Sequence, residues 1–401
     1  MRGEEQKSTS LTRKGCLKFV KTLLICSLLL FATATNKLAC VETCEGIVEK
    51  VGSFPYTEGE YFCRVIVHND CAYLFGGIYP EETGGNHSYF LDILNVSDLT
   101  NPSKIGRYDL ARYGFTHGVE IRDDILYAFT VWLTKTEAGF HLLLFNISDP
   151  ISPWLMGDYG EEQIIPWDFA LYQNYAFFCS DDTLKIVDCT NKSAPTLAAE
   201  QPYPAYFIEI SEDILYLLHS RFQAYNLSNP EQPTLIGNYT GKGKRAPVSM
   251  AVKDKYVYTG YCWEGLLAVD FTDPTNPKRA AKYSFPWRDF NSGGMIEEIA
   301  ILDDYLFTCG SELFLFKIKN PNFIRRMDKI DIYGGGVTLF IGEKAIFVIS
   351  YYLEIFTFQK PIDYLLIGLS IGGGMVMIGV IGTILIFYKR KKKKNNGEKH
   401  Q

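Results

Sequence analysis

Residues 95–102 read NVSDLTNP, 146–153 NISDPISP, 188–195 DCTNKSAP, 226–233 NLSNPEQP and 270–277 DFTDPTNP: one turn written five times. Asn and Asp side chains accept hydrogen bonds from nearby backbone amides and Pro presets its own φ, so each stretch leaves a strand reproducibly. The turns begin 51, 42, 38 and 44 residues apart, the spacing of a repeat that forms one supersecondary unit.

Working outward from the turns, each is preceded by short runs rich in β-branched and aromatic residues, such as 125–129 (ILYAF), 184–187 (LKIV) and 256–258 (YVY). Each of several is followed by a strand of the form Ile-Gly-x-Tyr, as at 104–108 (KIGRY), 155–159 (LMGDY) and 235–239 (LIGNY). No long window keeps a helical period, and four strands per repeat fit one blade of a β-propeller. Worn copies at 313–317 and 353–357 bring the count to seven. The last copy lacks an outer strand, and residues 49–54 (EKVGSF) resemble one. An N-terminal strand at about 48–54 is therefore expected to complete the seventh blade and close the ring, removing an open sheet edge. The fold expected is all-β, a seven-bladed β-propeller ectodomain followed by a single C-terminal transmembrane helix.

Residues 184–188 (LKIVD), 266–270 (LLAVD) and the degenerate 142–146 (LLLFN), each running into the Pro turn, resemble the LVIVD-repeat family of predicted cell-surface β-propellers. The resemblance covers nearly the whole ectodomain and implies the fold. It implies no single reaction, because function lives in sites grafted onto folds.

The ends bound the compartment. Arg13, Lys14, Lys18 and Lys21 precede an apolar run at 23–32, and Ala32-Thr-Ala34 offers a cleavage site, so 1–34 is assigned as a signal peptide, with an uncleaved anchor as the alternative. The propeller is assigned to 35–362, the membrane helix to 363–388 and a basic tail to 389–401. Residues 364–388 carry no charge and KRKKKK follows at 389–394, which places the tail in the cytoplasm and the propeller outside a single-pass cell membrane protein. Between leader and tail, residues 35–388 hold 27 basic and 43 acidic residues, a formal charge of −16. That excess argues against a nucleic-acid partner. It suits a basic partner, divalent cations or a solvated exterior.

Eight cysteines follow the leader, and Cys262 with Cys309, just after equivalent strands of neighbouring repeats, is the pairing favoured; buried free thiols are the alternative. Cys40 and Cys44 lack the second pair a structural zinc needs. Sequons occur at Asn86, Asn95, Asn146, Asn191, Asn226 and Asn238, several of them supplied by the turn itself.

Alignment of the repeats on their second-strand aromatic puts Arg64, Gly118, Asp168, Phe207, Ser249, Glu298 and Thr338 in one ring at the start of each first strand. The preceding ring holds His117, Trp167, Tyr206 and Glu297, and two residues further in stand Glu120 and Glu209. Carboxylates on a strand that packs between blades are costly to desolvate. Arg64, His117, Glu120, Trp167, Asp168, Tyr206, Glu209, Glu297 and Glu298 are therefore the candidate channel-mouth site. The bland alternative is an inter-blade network in which Arg64 pairs with Asp168 or a glutamate.

Neither Gly-x-Ser-x-Gly nor His-Glu-x-x-His occurs, and Gly334-Gly-Gly336 lacks the Lys of a phosphate loop. The leading expectation is a membrane-anchored extracellular binding module for a protein or glycan ligand, with no catalytic residue assigned. A metal-assisted hydrolase or lyase at the channel mouth and an architectural envelope protein are the alternatives. No cofactor is implied, although a divalent cation would suit the carboxylates.

Overall fold

The computed structural model describes residues 47–78, 88–110, 112–134, 136–241, 247–261, 264–285, 296–332, 335–336 and 338–360. The signal peptide, the apolar span, the basic tail, Asn86, Cys40, Cys44 and Cys262 lie outside the described residues.

The regular elements described are all strands. β1 (Ile47–Pro55) comes first. Blade 1 is β2 (Glu60–His68), β3 (Cys71–Ile78), β4 (Ser88–Asn95) and β5 (Ser103–Asp109). Blade 2 is β6 (Phe115–Arg122), β7 (Ile125–Leu133), β8 (Ala138–Asn146) and β9 (Trp154–Glu162). Blade 3 is β10 (Asp168–Tyr172), β11 (Tyr175–Cys179), β12 (Leu184–Asp188) and β13 (Thr196–Gln201). Blade 4 is β14 (Phe207–Ser211), β15 (Ile214–Leu218), β16 (Phe222–Asn226) and β17 (Thr234–Tyr239). Blade 5 is β18 (Pro247–Lys253), β19 (Tyr256–Tyr261), β20 (Gly265–Asp270) and β21 (Lys278–Tyr283). Blade 6 is β22 (Ile296–Leu302), β23 (Tyr305–Gly310), β24 (Glu312–Lys317) and β25 (Arg325–Asp331). Blade 7 takes β26 (Thr338–Ile341), β27 (Ile346–Ile349) and β28 (Tyr352–Gln359), and its outer strand is β1, paired antiparallel with β28 from Ile47↔Gln359 to Pro55↔Tyr352.

Seven apolar clusters take the place of one core, and each is shared by two neighbouring blades. Tyr73, Phe75, Leu126 and Phe145 pack between blades 1 and 2, and Phe62, Leu74, Phe347 and Leu353 between blades 1 and 7. This arrangement explains the strand patterns. The second strands, β3, β7, β11, β15, β19, β23 and β27, are buried almost throughout because both faces meet a neighbouring sheet. The outer strands β5, β9 and β25 alternate between exposed and half-buried positions.

The first and second strands are joined by tight turns that use positive φ, as at Asn69 and Asp70 (49° and 61°) and at Asp254 and Lys255 (49° and 64°). Two successive positive φ values match the right-handed twist of a hairpin, and Asn and Asp tolerate them best. In the Pro turns the side chains act as expected from their chemistry. Asn95 accepts from the Ser97 amide at 2.9 Å, and Asp98 accepts from the Thr100 amide at 2.9 Å. Asn146, Asn226 and Asp270 repeat the pattern with Ser148, Ser228 and Thr272.

Of the cysteines described, Cys63, Cys71, Cys179, Cys189 and Cys309 are free and buried. Cys309 is among them, and Cys262, its expected partner, lies outside the described residues. Cys309 lies against Glu298 in the interior, and burial pushes its thiol well above the ordinary value.

Candidate functional site

The first strands β2, β6, β10, β14, β18, β22 and β26 line a central channel, and their starts form its mouth. Each presents one edge of unpaired backbone groups to the axis, because its only sheet neighbour is the second strand of its own blade. What satisfies those groups decides the chemistry of the channel.

The channel encloses a cavity of about 450 Å³. Eight of the nine candidate side chains line it: Arg64, His117, Glu120, Trp167, Asp168, Glu209, Glu297 and Glu298. Tyr206 is not among the lining residues. Its ring meets Trp167 edge-on at 5.9 Å and lies 4.5 Å from His219.

Four polar side chains are latches between blades. Asp168 on β10 accepts from the Ile208 amide of β14 at 3.2 Å and from its neighbour Phe169 at 2.9 Å. Glu298 on β22 accepts from the Leu339 amide at 2.7 Å and the Thr338 hydroxyl at 2.5 Å, both on β26. Ser249 on β18 accepts from the Ile299 amide of β22 at 3.1 Å, and Glu120 on β6 accepts from the Leu171 amide of β10 at 3.0 Å. Arg64 works in the opposite polarity, donating Nε to the His117 carbonyl at 2.7 Å and Nη1 to the Cys63 carbonyl at 2.8 Å. Among the described residues Arg64 makes no ion pair. The expected network therefore exists, but it joins side chains to the neighbouring blade's backbone instead of pairing Arg64 with Asp168 or a glutamate. The reason is the unpaired strand edge, which offers amides and carbonyls at every blade junction.

Glu209 differs from these. It lines the cavity on β14, and no hydrogen bond or opposite charge reaches it among the described residues. Burial, and after it the charges of Asp168, Glu120 and Glu298, pushes its carboxyl well above the usual range. Burial pushes Asp168 up to about 7, against the pull of the Ile208 and Phe169 amides and of Arg64. It pushes Glu120 up to about 7 against the pull of Arg122, and it raises Glu297 as well. His117 is driven the other way, to about 4, by burial and by Arg64, so its imidazole is neutral at physiological pH.

Arg122 was not among the sequence candidates. It lies two residues beyond Glu120 on the same face of β6, 3.7 Å from that carboxylate, and donates to the Leu171 carbonyl. The two-residue strand period is the signal that could have found it. Among the described residues five carboxyl groups and two guanidinium groups thus line the cavity. Among the described residues no three His, Cys, Asp or Glu side chains converge as metal ligands would.

Comparison with known proteins agrees on the repeat and the fold. The LVIVD repeat model matches residues 166–200 and 246–284, the stretches that form blades 3 and 5, so the chain carries LVIVD repeats. No curated protein matches the sequence. The WD40 β-propeller domain of Doa1 superposes with a TM-score of 0.54 at 11% identity, covering 78% of this chain and 97% of that one. The computationally designed Ika8 protein superposes with a TM-score of 0.51 at 8% identity, covering 78% and 100%. At such identities the likeness is one of fold alone.

Proposed function

We propose that this seven-bladed propeller of LVIVD repeats is a binding module displayed outside the cell, tethered by the apolar stretch 364–388, and that its channel mouth receives a cationic group of a protein or glycan ligand. The observation that carries the reading is Glu209. A carboxyl held in a cavity without a partner costs free energy that a cationic ligand would recover. The latching carboxylates Asp168, Glu298 and Glu120 already hold backbone amides, whereas Glu209 has no partner among the described residues. Trp167, 44% exposed at the rim, adds an aromatic face of the kind that attracts cations.

Calorimetric titration of the detergent-solubilised chain with methylguanidinium, with acetate as the control, tests this. Saturable binding that is lost in Glu209→Gln is expected. Absence of methylguanidinium binding to the unaltered chain at millimolar concentration would sink the reading. Biotinylation of intact cells by an impermeant reagent tests the display, since a propeller confined to the cytoplasm would remain unlabelled.

One observation favours a second reading, an extracellular propeller enzyme. Asp168 and Glu120 titrate near 7, where a general acid or base works best. Both accept backbone amides from the adjoining blade, however, so they already serve to join the blades, and binding remains the better-supported function.

A further inference from the structure

Beside the channel mouth, between blades 2 and 3, lies an open hollow of about 920 Å³. Its wall is made by blade length. β7, β8 and β9 run nine residues each, whereas β10, β11 and β12 run five. Blade 2 therefore overhangs its neighbour by about four residues, roughly 13 Å at the rise of a strand.

Two properties of the lining select an occupant. Leu133, Ile165 and Trp167 are 74%, 38% and 44% exposed, which leaves apolar surface on the solvent side of the groove. Around them stand Glu137, Glu161, Glu162, Asp181, Asp182 and Glu200. Among the described residues of the lining the one cation is Lys185, whose ammonium lies 2.9 Å from both Glu161 and Glu200 and is neutralised by them. Among the described residues the remaining carboxylates, Glu137, Glu162, Asp181 and Asp182, have no basic residue of the groove to answer them, and they outnumber its cation.

We propose that this hollow docks a basic, extended polypeptide segment of a partner protein that carries alternating apolar side chains. The proposal rests on the cation-binding reading of the channel mouth, because Trp167 lines both spaces and joins the groove to the channel. Charge complementarity sets the partner's sign and speeds encounter, while Leu133, Ile165 and Trp167 supply the apolar anchor on which affinity depends. An anionic lipid surface or a nucleic acid is repelled by the same carboxylates.

The test is fluorescence anisotropy of the full chain with a fluorescein-labelled KLKLKLK peptide, and with ELELELE as the control. Binding of the basic probe alone is expected, weakening as salt is raised. Neutralisation of the groove in the quadruple variant Glu137→Gln, Glu162→Gln, Asp181→Asn, Asp182→Asn is expected to weaken it at least tenfold. The matched variant Asp123→Asn, Glu212→Gln, Asp254→Asn, Asp303→Asn, on turns at the opposite ends of the first strands, is expected to leave it unchanged. Undiminished affinity in the groove variant, or equal loss in the matched one, overturns the proposal. Leu133→Ser, at a side chain that packs little, gives a second reading should the quadruple variant misfold: a several-fold loss supports the apolar anchor and no loss refutes the groove. Methylguanidinium titration separates the two claims. Methylguanidinium binding without peptide binding removes the groove and leaves the channel site, and groove-dependent peptide binding without it removes the channel site instead.

Discussion

At the scale of the residue, the glycine of the Ile-Gly-x-Tyr strand shows how a motif visible in sequence acquires its reason in space. A Cβ on Gly237 of β17 would collide with the carbonyl oxygen of Pro274, in the Pro turn of the next blade. Gly52 of β1 stands in the same relation to the Leu99 carbonyl of blade 1. The glycine is thus the notch into which the neighbouring turn fits. Gly237→Ala is expected to cost about 1–3 kcal/mol, as overpacking does, and a lowered thermal midpoint would show it. Asp168 makes a second residue-scale prediction. Its carboxyl titrates near 7 in the fold against an ordinary 3.8, so the folded chain holds a proton that the unfolded chain has released. Stability contributed by this group therefore falls as pH rises from about 4 to about 7 and levels off above. Asp168→Asn retains an oxygen for the Ile208 amide without the charge. It should flatten that slope and raise the thermal midpoint at pH 8; an unaltered pH profile would count against the burial argument.

At the scale of the element, third and fourth strands are riveted by buried charge. Asp92 on β4 is 1% exposed and meets Arg107 of β5 at 2.6 Å and Lys104 at 2.8 Å. Lys185 on β12 meets Glu200 of β13, and Glu354 on β28 meets Lys50 of β1. Every fourth strand, β1 included, also carries a register shift against its third strand, in β1 between Lys50 and Gly52. By its glycine, its bulge and its ion pair, β1 is the outer strand of blade 7, and the chain circles back to provide it. Deleting residues 47–55 would strip β28 of its partner and uncover an edge beside Leu353 and Phe356, both fully buried. Oligomers or aggregates on size-exclusion chromatography are expected. A monodisperse monomer would show that three strands suffice for the seventh blade.

At the scale of the whole molecule, seven interfaces share the stabilisation, and each blade serves two of them. No blade can leave without opening both of its neighbours, so unfolding of the ring is expected to be one transition. Ser249→Ala removes the acceptor of the buried Ile299 amide between blades 5 and 6 and should cost about 1–3 kcal/mol. Near- and far-ultraviolet circular dichroism should follow a single lowered midpoint. Two separated transitions would mean that the blades unfold independently despite the closed ring.

The chain by itself determined the repeat, the number of blades and the ring positions at the channel, because turn chemistry and strand period are local properties that recur with every copy. Equivalent positions such as Arg64, Asp168 and Glu298 could be aligned without coordinates, since a rotationally repeated fold brings equivalent residues to one level. What those side chains do once there was decided only by the tertiary structure. Whether Asp168 holds an amide, or Glu209 goes unpartnered among the described residues, depends on which neighbouring strand presents a free N–H at that height, and adjoining blades lie about forty residues apart in sequence. Tyr206 shared the alignment yet packs its ring on Trp167 and His219, Arg122 lay outside it yet lines the channel, and the groove at Trp167 arose from a difference in strand length between neighbouring blades. Such outcomes are set by contacts across blades, and no pattern within one repeat encodes them.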